Sequence, residues 1–386
     1  MPLPAERIRL MKRSGIREIM DLASGRDDVL HLEVGQPDFA TPHHIVEAGC
    51  RAARSGFTTY TANKGLVEVR ESIVAKLDRV NGIAAEPEDV VITAGAVNAL
   101  VECLATLVSP GDAILIPDPG WPNYQMMADV LSARTVHYPL VPEQQFVPDL
   151  VRLEELARTS GAKVLLVNSP GNPTGAVFPR WVVERLVEIT ERHGMYLVSD
   201  ECYEQIVFDD EHVSPASIQG AQHVLSVFSL SKSYAMTGWR MGYVTGPRET
   251  IDLVAKVQEP MISCATAIAQ KAGQAALDGD QACVTEMVGA YQARRDLVVD
   301  ILRQGKLLIS VPRGAFYIMA DVSAVGSDSY AFARRLIQDR AVAVAPGETF
   351  GPSGAGKVRL SLATATPELC EGAQRLVDAV AQWRAS

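Results

Sequence analysis

The sequence predicts an α/β protein, a mostly parallel sheet with helices on both faces, followed by an α+β segment. Three observations carry that expectation. From about Asp89 to Gly246, short β-branched runs alternate with stretches whose apolar residues recur every three or four positions. The strand-like runs lack a polar face, as in parallel sheets covered on both sides by helices. The 386 residues are 47% hydrophobic and 21% charged, enough core for two or three domains at about 150 residues each.

Val90–Thr93 reads as the first strand. It leads through Gly95 into a helix with apolar Val97, Leu100, Leu104 and Leu107. Ser109-Pro110-Gly111-Asp112 is a turn, and Ala113–Ile116 is the next strand. Lys163–Val167 is another. Pro179 opens a helix carrying Val182, Val183, Leu186, Val187 and Thr190, which stops at Gly194. Tyr196–Ser199, Val224–Phe228 and Tyr243–Thr245 complete the series. The last third brings a helix near Tyr291–Leu302, a strand-like Phe316–Met319 and a helix over Tyr330–Gln338. Two strand-like runs, Ala341–Val344 and Val358–Leu362, close it.

Several classes of function are excluded early. The 36 Lys plus Arg against 46 Asp plus Glu leave a net charge of −10, which opposes nucleic acid and anionic membrane as partners. No apolar run approaches the roughly 18 residues of a membrane span. Met1–Leu10 carries Glu6, Arg7 and Arg9 and has no leader-like apolar stretch. Six scattered cysteines, none in a CxxC, call for neither zinc nor disulfides and fit a reducing cytoplasm. His43-His44 are adjacent and point in different directions, so no metal is expected there. Gly351–Lys357, GPSGAGK, imitates a phosphate loop, but Val358 stands where that loop needs Ser or Thr, and a strand follows instead of a helix. It reads as a surface turn. Neither GxSxG nor an early GxGxxG is present, which opposes a hydrolase elbow and a dinucleotide fold.

Polar residues collect just beyond the carboxyl ends of the strands, where open α/β sheets bind ligands. They are Thr93–Ala96, Pro119–Asn123, Asn168–Gly175 (NSPGNPTG), Asp200–Tyr203 and Ser229–Lys232. Singly, each is most simply a turn, a helix cap or a solvated lysine. Five in register, ending in SLSKSYAMTGWRMGY, point to one ligand site.

With these motifs the chain resembles the fold-type I pyridoxal-phosphate enzymes of the class I/II aminotransferase family. LEVGQPDFATP (Leu32–Pro42), FYIM (Phe316–Met319) after Gly314-Ala315, and VRLSLAT (Val358–Thr364) extend the resemblance over almost the whole chain. It implies a large domain at about residues 46–285 with a seven-stranded, mostly parallel sheet. A smaller α+β domain would come from residues 1–45 and 286–386. The implied cofactor is pyridoxal 5′-phosphate. The implied reaction is ping-pong transfer of an amino group from an α-amino acid to an α-keto acid, in a homodimer with shared sites.

The resemblance also implies roles. Lys232 would hold the cofactor covalently and shuttle a proton at the substrate α-carbon, which needs an amine freed by burial and neighbouring cations. Asp200 would face the pyridine nitrogen, Tyr203 and Asn172 the ring oxygen, and Trp121 the ring face. Backbone N–H groups of Gly95, Ala96 and Val97 at a helix start would hold the phosphate with Ser229 and Arg240, three before and eight after Lys232. Tyr60 would reach the phosphate in the neighbouring subunit, the alternative being a tyrosine packed within its own. Arg359 would clamp the substrate α-carboxylate, with Gly35 alongside and Trp121 and Asn172 also at the substrate.

For side-chain preference, no basic group for a second carboxylate is evident. Ile16, in the N-terminal pocket segment, is apolar. Val97 stands where some aspartate-preferring relatives carry Lys, and Met261–Cys264 near the pocket is uncharged. Gly171 replaces the Asn common before NPTG. These departures point to neutral or apolar amino acids. The alternatives are a lyase of the same fold and an aspartate-type aminotransferase.

Overall fold

A computed structural model describes residues 2–385. After β1 (Leu30–His31), the chain lays down β2 (Val90–Thr93), β3 (Ala113–Asp118), β4 (Arg134–Val141), β5 (Val147–Pro148), β6 (Ala162–Asn168), β7 (Tyr196–Asp200), β8 (Val224–Ser229) and β9 (Gly242–Thr245). The last eight form one sheet in the order β2-β9-β8-β7-β6-β3-β4-β5. Strands β8, β7, β6, β3 and β4 are parallel. Strand β9 runs against both of its neighbours, and β5 is a two-residue antiparallel edge added to the seven expected strands.

Strand β4 was not legible as a strand. It carries Pro139 and leaves Arg134, His137 and Pro139 exposed, a half-wet pattern near the sheet edge. Strands β8 and β9, and β2 at the other end of the sheet, are buried at every residue, which is why their sequences are largely apolar. One face packs on the helix Ala96–Leu107 through Leu100, Cys103 and Leu104. Val97, placed by its periodicity with Leu100 and Leu104, is instead 39% exposed. The other face packs on the helix Arg180–Arg192 through Val182, Val183 and Leu186.

The C-terminal part adds β10 (Tyr317–Asp321), β11 (Val342–Ala343), β12 (Ala345–Pro346) and β13 (Lys357–Ser361). Strands β10, β13 and β12 form an antiparallel sheet, while β11 pairs in parallel with β1. The expected single strand at 341–344 is therefore two. The backbone changes partner from β1 to β13 between Ala343 and Ala345. The helix expected at Tyr291–Leu302 is the C-terminal half of a longer one, Ala282–Gln304. A core containing Ile19, Ala23 and Leu32 with Val298, Leu336, Leu369 and Leu376 joins the two ends of the chain. Among the described residues, no helix is long and apolar enough to cross a membrane.

Candidate active site

A cavity of about 520 Å³ opens at the carboxyl ends of β3, β6, β7 and β8. It gathers twelve of the residues singled out from sequence: Ile16, Gly35, Ala96, Val97, Trp121, Asn172, Asp200, Tyr203, Ser229, Lys232, Arg240 and Arg359. Gly95 lies directly behind Arg240. Tyr60 is not brought in. It is 86% exposed, so it is not packed within its own subunit. Met261–Cys264 does not line the cavity either.

Asp200 closes β7 and is buried. Its carboxylate accepts hydrogen bonds from the Tyr124 hydroxyl at 2.7 Å and from the Cys202 backbone N–H at 3.2 Å. Burial pushes its pKa up from the ordinary value, and hydrogen bonding from Cys202, side chain and backbone, and from Tyr124 only partly opposes it. Asn168 ties the neighbouring loop in place. Its amide donates to the Asp200 carbonyl at 2.9 Å, and its Oδ1 accepts the Asn172 N–H at 2.8 Å. The Tyr203 and Tyr317 hydroxyls share a hydrogen bond of 2.9 Å.

Lys232 follows β8 on a short helix, Leu230–Ser233, whose cap is the Ser229 hydroxyl accepting the Ser231 N–H at 3.1 Å. Its ammonium donates to the Gly35 carbonyl at 2.7 Å. Burial, aided by the Arg359 and Arg240 cations and opposed by Cys202 and Asp200, lowers its pKa to about 8. The amine is thus freed at a lower pH than an ordinary lysine, as a nucleophile or base requires.

At the opposite end, Gly95 caps the helix Ala96–Leu107 with φ of 87° and offers no side-chain acceptor to its N–H groups. A Cβ there would lie 2.7 Å from Arg240 Nη2. Glycine is what lets Arg240 lie across the helix start, where it donates to the carbonyls of Thr237 at 2.9 Å and Ala94 at 3.2 Å. A guanidinium over free helical N–H groups is an anion cradle.

Arg359 sits on β13 opposite Met319 and Ala345 and is 1% exposed. It donates to Asn172 Oδ1 at 3.1 Å and to the Glu33 carbonyl, between the rings of Tyr317 (4.3 Å) and Phe350 (5.1 Å). Burial pushes its pKa down. Gly35 is required beside it, because a Cβ would fall 2.3 Å from the Tyr317 hydroxyl.

Sequence reasoning missed several lining residues. Asn168 heads the marked NSPGNPTG, while Tyr124 falls one residue past the marked Pro119–Asn123, one helical turn beyond Trp121. The important omission is Arg13 and Arg17, which also line the cavity and correct the expectation of no further basic group. Arg13 is engaged by Asp21 at 2.7 Å, whereas Arg17 has no ion pair among the described residues. No local pattern marks them. They reach the cavity because the helix Gly15–Ala23 docks through Ile19 and Ala23 on the distant C-terminal core.

These groups fit pyridoxal 5′-phosphate on their own chemistry. The anion cradle suits a phosphate. Asp200 is a buried acid with no cation among its hydrogen-bond partners, and a protonated ring nitrogen would supply one. Lys232 stands in the same cavity as a covalent anchor.

The family model for aminotransferase class I and II matches residues 27–377. An aspartate aminotransferase of Pyrococcus horikoshii is 37% identical, with 97% of each chain covered. An aromatic-amino-acid aminotransferase of Thermococcus litoralis is 33% identical over 96% of this chain and 97% of its own. Among solved structures, an aspartate aminotransferase from Thermus thermophilus with maleate superposes with a TM-score of 0.93 and 37% identity, covering 98% of this chain and 100% of that one.

Proposed function

The chain belongs to the class I and II aminotransferases, which use pyridoxal 5′-phosphate, and from that premise we propose the residues that act and the substrates they take. When bound, the cofactor supplies an electron sink for negative charge at the substrate α-carbon. The Lys232 amine anchors it and, once released, carries the proton on and off that carbon. Its lowered pKa and its position in the cavity support this role. Asp200 holds a proton on the ring nitrogen and is itself oriented by Tyr124. Tyr203 and Asn172 serve the ring oxygen, and Trp121 covers the ring. Ser229, Arg240 and the N–H groups of Ala96 and Val97 hold the phosphate. Arg359 takes the substrate carboxylate that every amino acid and keto acid shares.

Tyr60, exposed here, completes the phosphate site of a second copy, which makes the enzyme a homodimer. Six free cysteines support a cytoplasmic home. A core drawn from both ends of the chain supports a division near residues 46 and 285.

The proposed donors are neutral or apolar amino acids, supported by Ile16 and Met20 at the cavity and by Val97. One observation favours a dicarboxylic partner as well. Arg17 lines the same cavity with no ion pair among the described residues, so a dicarboxylic keto acid such as 2-oxoglutarate is the proposed acceptor. Half-reaction spectra of the holoenzyme against single amino and keto acids test both. Arg17→Gln should lower kcat/KM for 2-oxoglutarate by roughly 5- to 30-fold, equivalent to about 1–2 kcal/mol, and leave pyruvate unchanged. An equal loss for both acceptors would remove Arg17 from side-chain recognition.

A further inference from the structure

Arg359 is buried among neutral acceptors. Its hydrogen-bond partners are an amide oxygen and a main-chain carbonyl, two aromatic rings flank it, and its Nε has no hydrogen-bond partner among the described residues. It holds the main-chain carbonyl of Glu33, an acid whose charge acts on the guanidinium. The Glu33 side chain is 0% exposed. One of its oxygens meets His31 Nδ1 at 2.8 Å, and the other has no hydrogen-bond partner among the described residues. A buried carboxylate thus belongs to the residue whose main chain the buried guanidinium holds, and among the described residues the two side chains form no ion pair. No role in holding the cofactor or the substrate engages Glu33.

We propose that Glu33 is a positioning residue whose charge moderates the grip of Arg359 on the substrate carboxylate. This rests on Arg359 as the carboxylate clamp. In a low-dielectric wall, a unit charge this near acts strongly on the guanidinium. The substrate carboxylate has to share Arg359 with the field of Glu33. Donor and keto-acid product present the same carboxylate, so a tighter clamp would hold both more firmly. Binding that is uniform across the reaction lowers KM without raising kcat. A partly offset clamp therefore favours release.

The probe is propionate, a carboxylate without an amine, as a competitive inhibitor of the holoenzyme. Glu33→Gln keeps the shape and removes the charge. It should lower the propionate Ki by about 3- to 20-fold and the KM of every donor by a similar factor, with kcat unchanged or reduced. Glu33→Asp, which retains the charge, should stay near wild type. Glu33→Met carries the same expectation should the Gln variant fail to fold. In an Arg359→Met background the effect of Glu33→Gln should vanish, which a merely structural role would not produce. An unchanged or raised Ki in folded Glu33→Gln and Glu33→Met overturns the proposal. If Arg359→Met alone leaves propionate binding intact, the clamp itself is wrong, a failure distinct from that of Glu33.

Discussion

Lys232 concentrates the chemistry of the site in one titration. A lysine held at about 8 by burial and two arginines is protonated below that pH and free above it. Capture of pyridoxal 5′-phosphate by the apoenzyme needs the free amine. Its second-order rate should climb about tenfold per pH unit below 8 and level off above it. Stopped-flow absorbance checks this, and a rate that stays level from about pH 6.5 to 9 would show that the lysine is not the titrating group. Lys232→Ala should leave no cofactor fixed by borohydride and should cut transamination by at least about 10²–10⁴-fold. The sequence marked Lys232, Asp200, Asn172 and Ser229 because each lies in a short motif ending a strand, and Arg240 by its offset from Lys232 in the family motif. Arg17 and Glu33 were overlooked because their surroundings come from residues hundreds of positions away.

The helix Ala96–Leu107 serves two ends with one element. Its start has a glycine cap without a side-chain acceptor and leaves its N–H groups to an anion. Its middle buries Glu102, whose only side-chain partner is Asn98 at 2.9 Å and whose Oε2 has no partner among the described residues. Burial raises the Glu102 pKa to about 7, the Asn98 bond opposing. The folded state therefore favours the protonated acid. Its stabilising contribution is fully present below the unfolded value of 4.5 and is lost as pH rises through about 7. Glu102→Gln should match wild type near pH 4.5 and exceed it by about 1–3 kcal/mol at pH 8. Urea midpoints at the two pH values measure the gap, and equal midpoints at pH 8 would mean that Glu102 ionises freely in the fold. The periodicity of this helix was plain in sequence, yet it assigned Val97 to the core face. A helix whose first turn borders a cavity keeps its apolar spacing without burying that turn. Strand β4 failed for the converse reason. An outer strand with a proline and exposed polar residues lacks the apolar density that identified β6 and β8.

Over the whole molecule, the site depends on parts far apart in the chain. Gly35 and Arg17 come from the N-terminal segment, Arg359 from β13, and the cofactor groups from the central sheet. The motifs made this assembly legible, since each names its place in the site, whereas the packing of the two chain ends could not be read from local pattern. What a single chain does not supply is a use for Tyr60, 86% exposed and outside its own cavity. The proposed homodimer gives it one, and complementation measures it. A Tyr60→Ala chain keeps Lys232, and a Lys232→Ala chain keeps Tyr60. In a mixed dimer of the two, one site would pair an intact Lys232 with the intact tyrosine of its neighbour, while the other would lack both. Verified heterodimers should then recover about half of the wild-type activity per dimer, as two-fold symmetry requires, when cofactor is kept low enough for Tyr60→Ala homodimers to lose it. Heterodimers as impaired as the Tyr60→Ala parent would place the tyrosine outside the shared site, because the site with intact Lys232 would then have gained nothing from its neighbour.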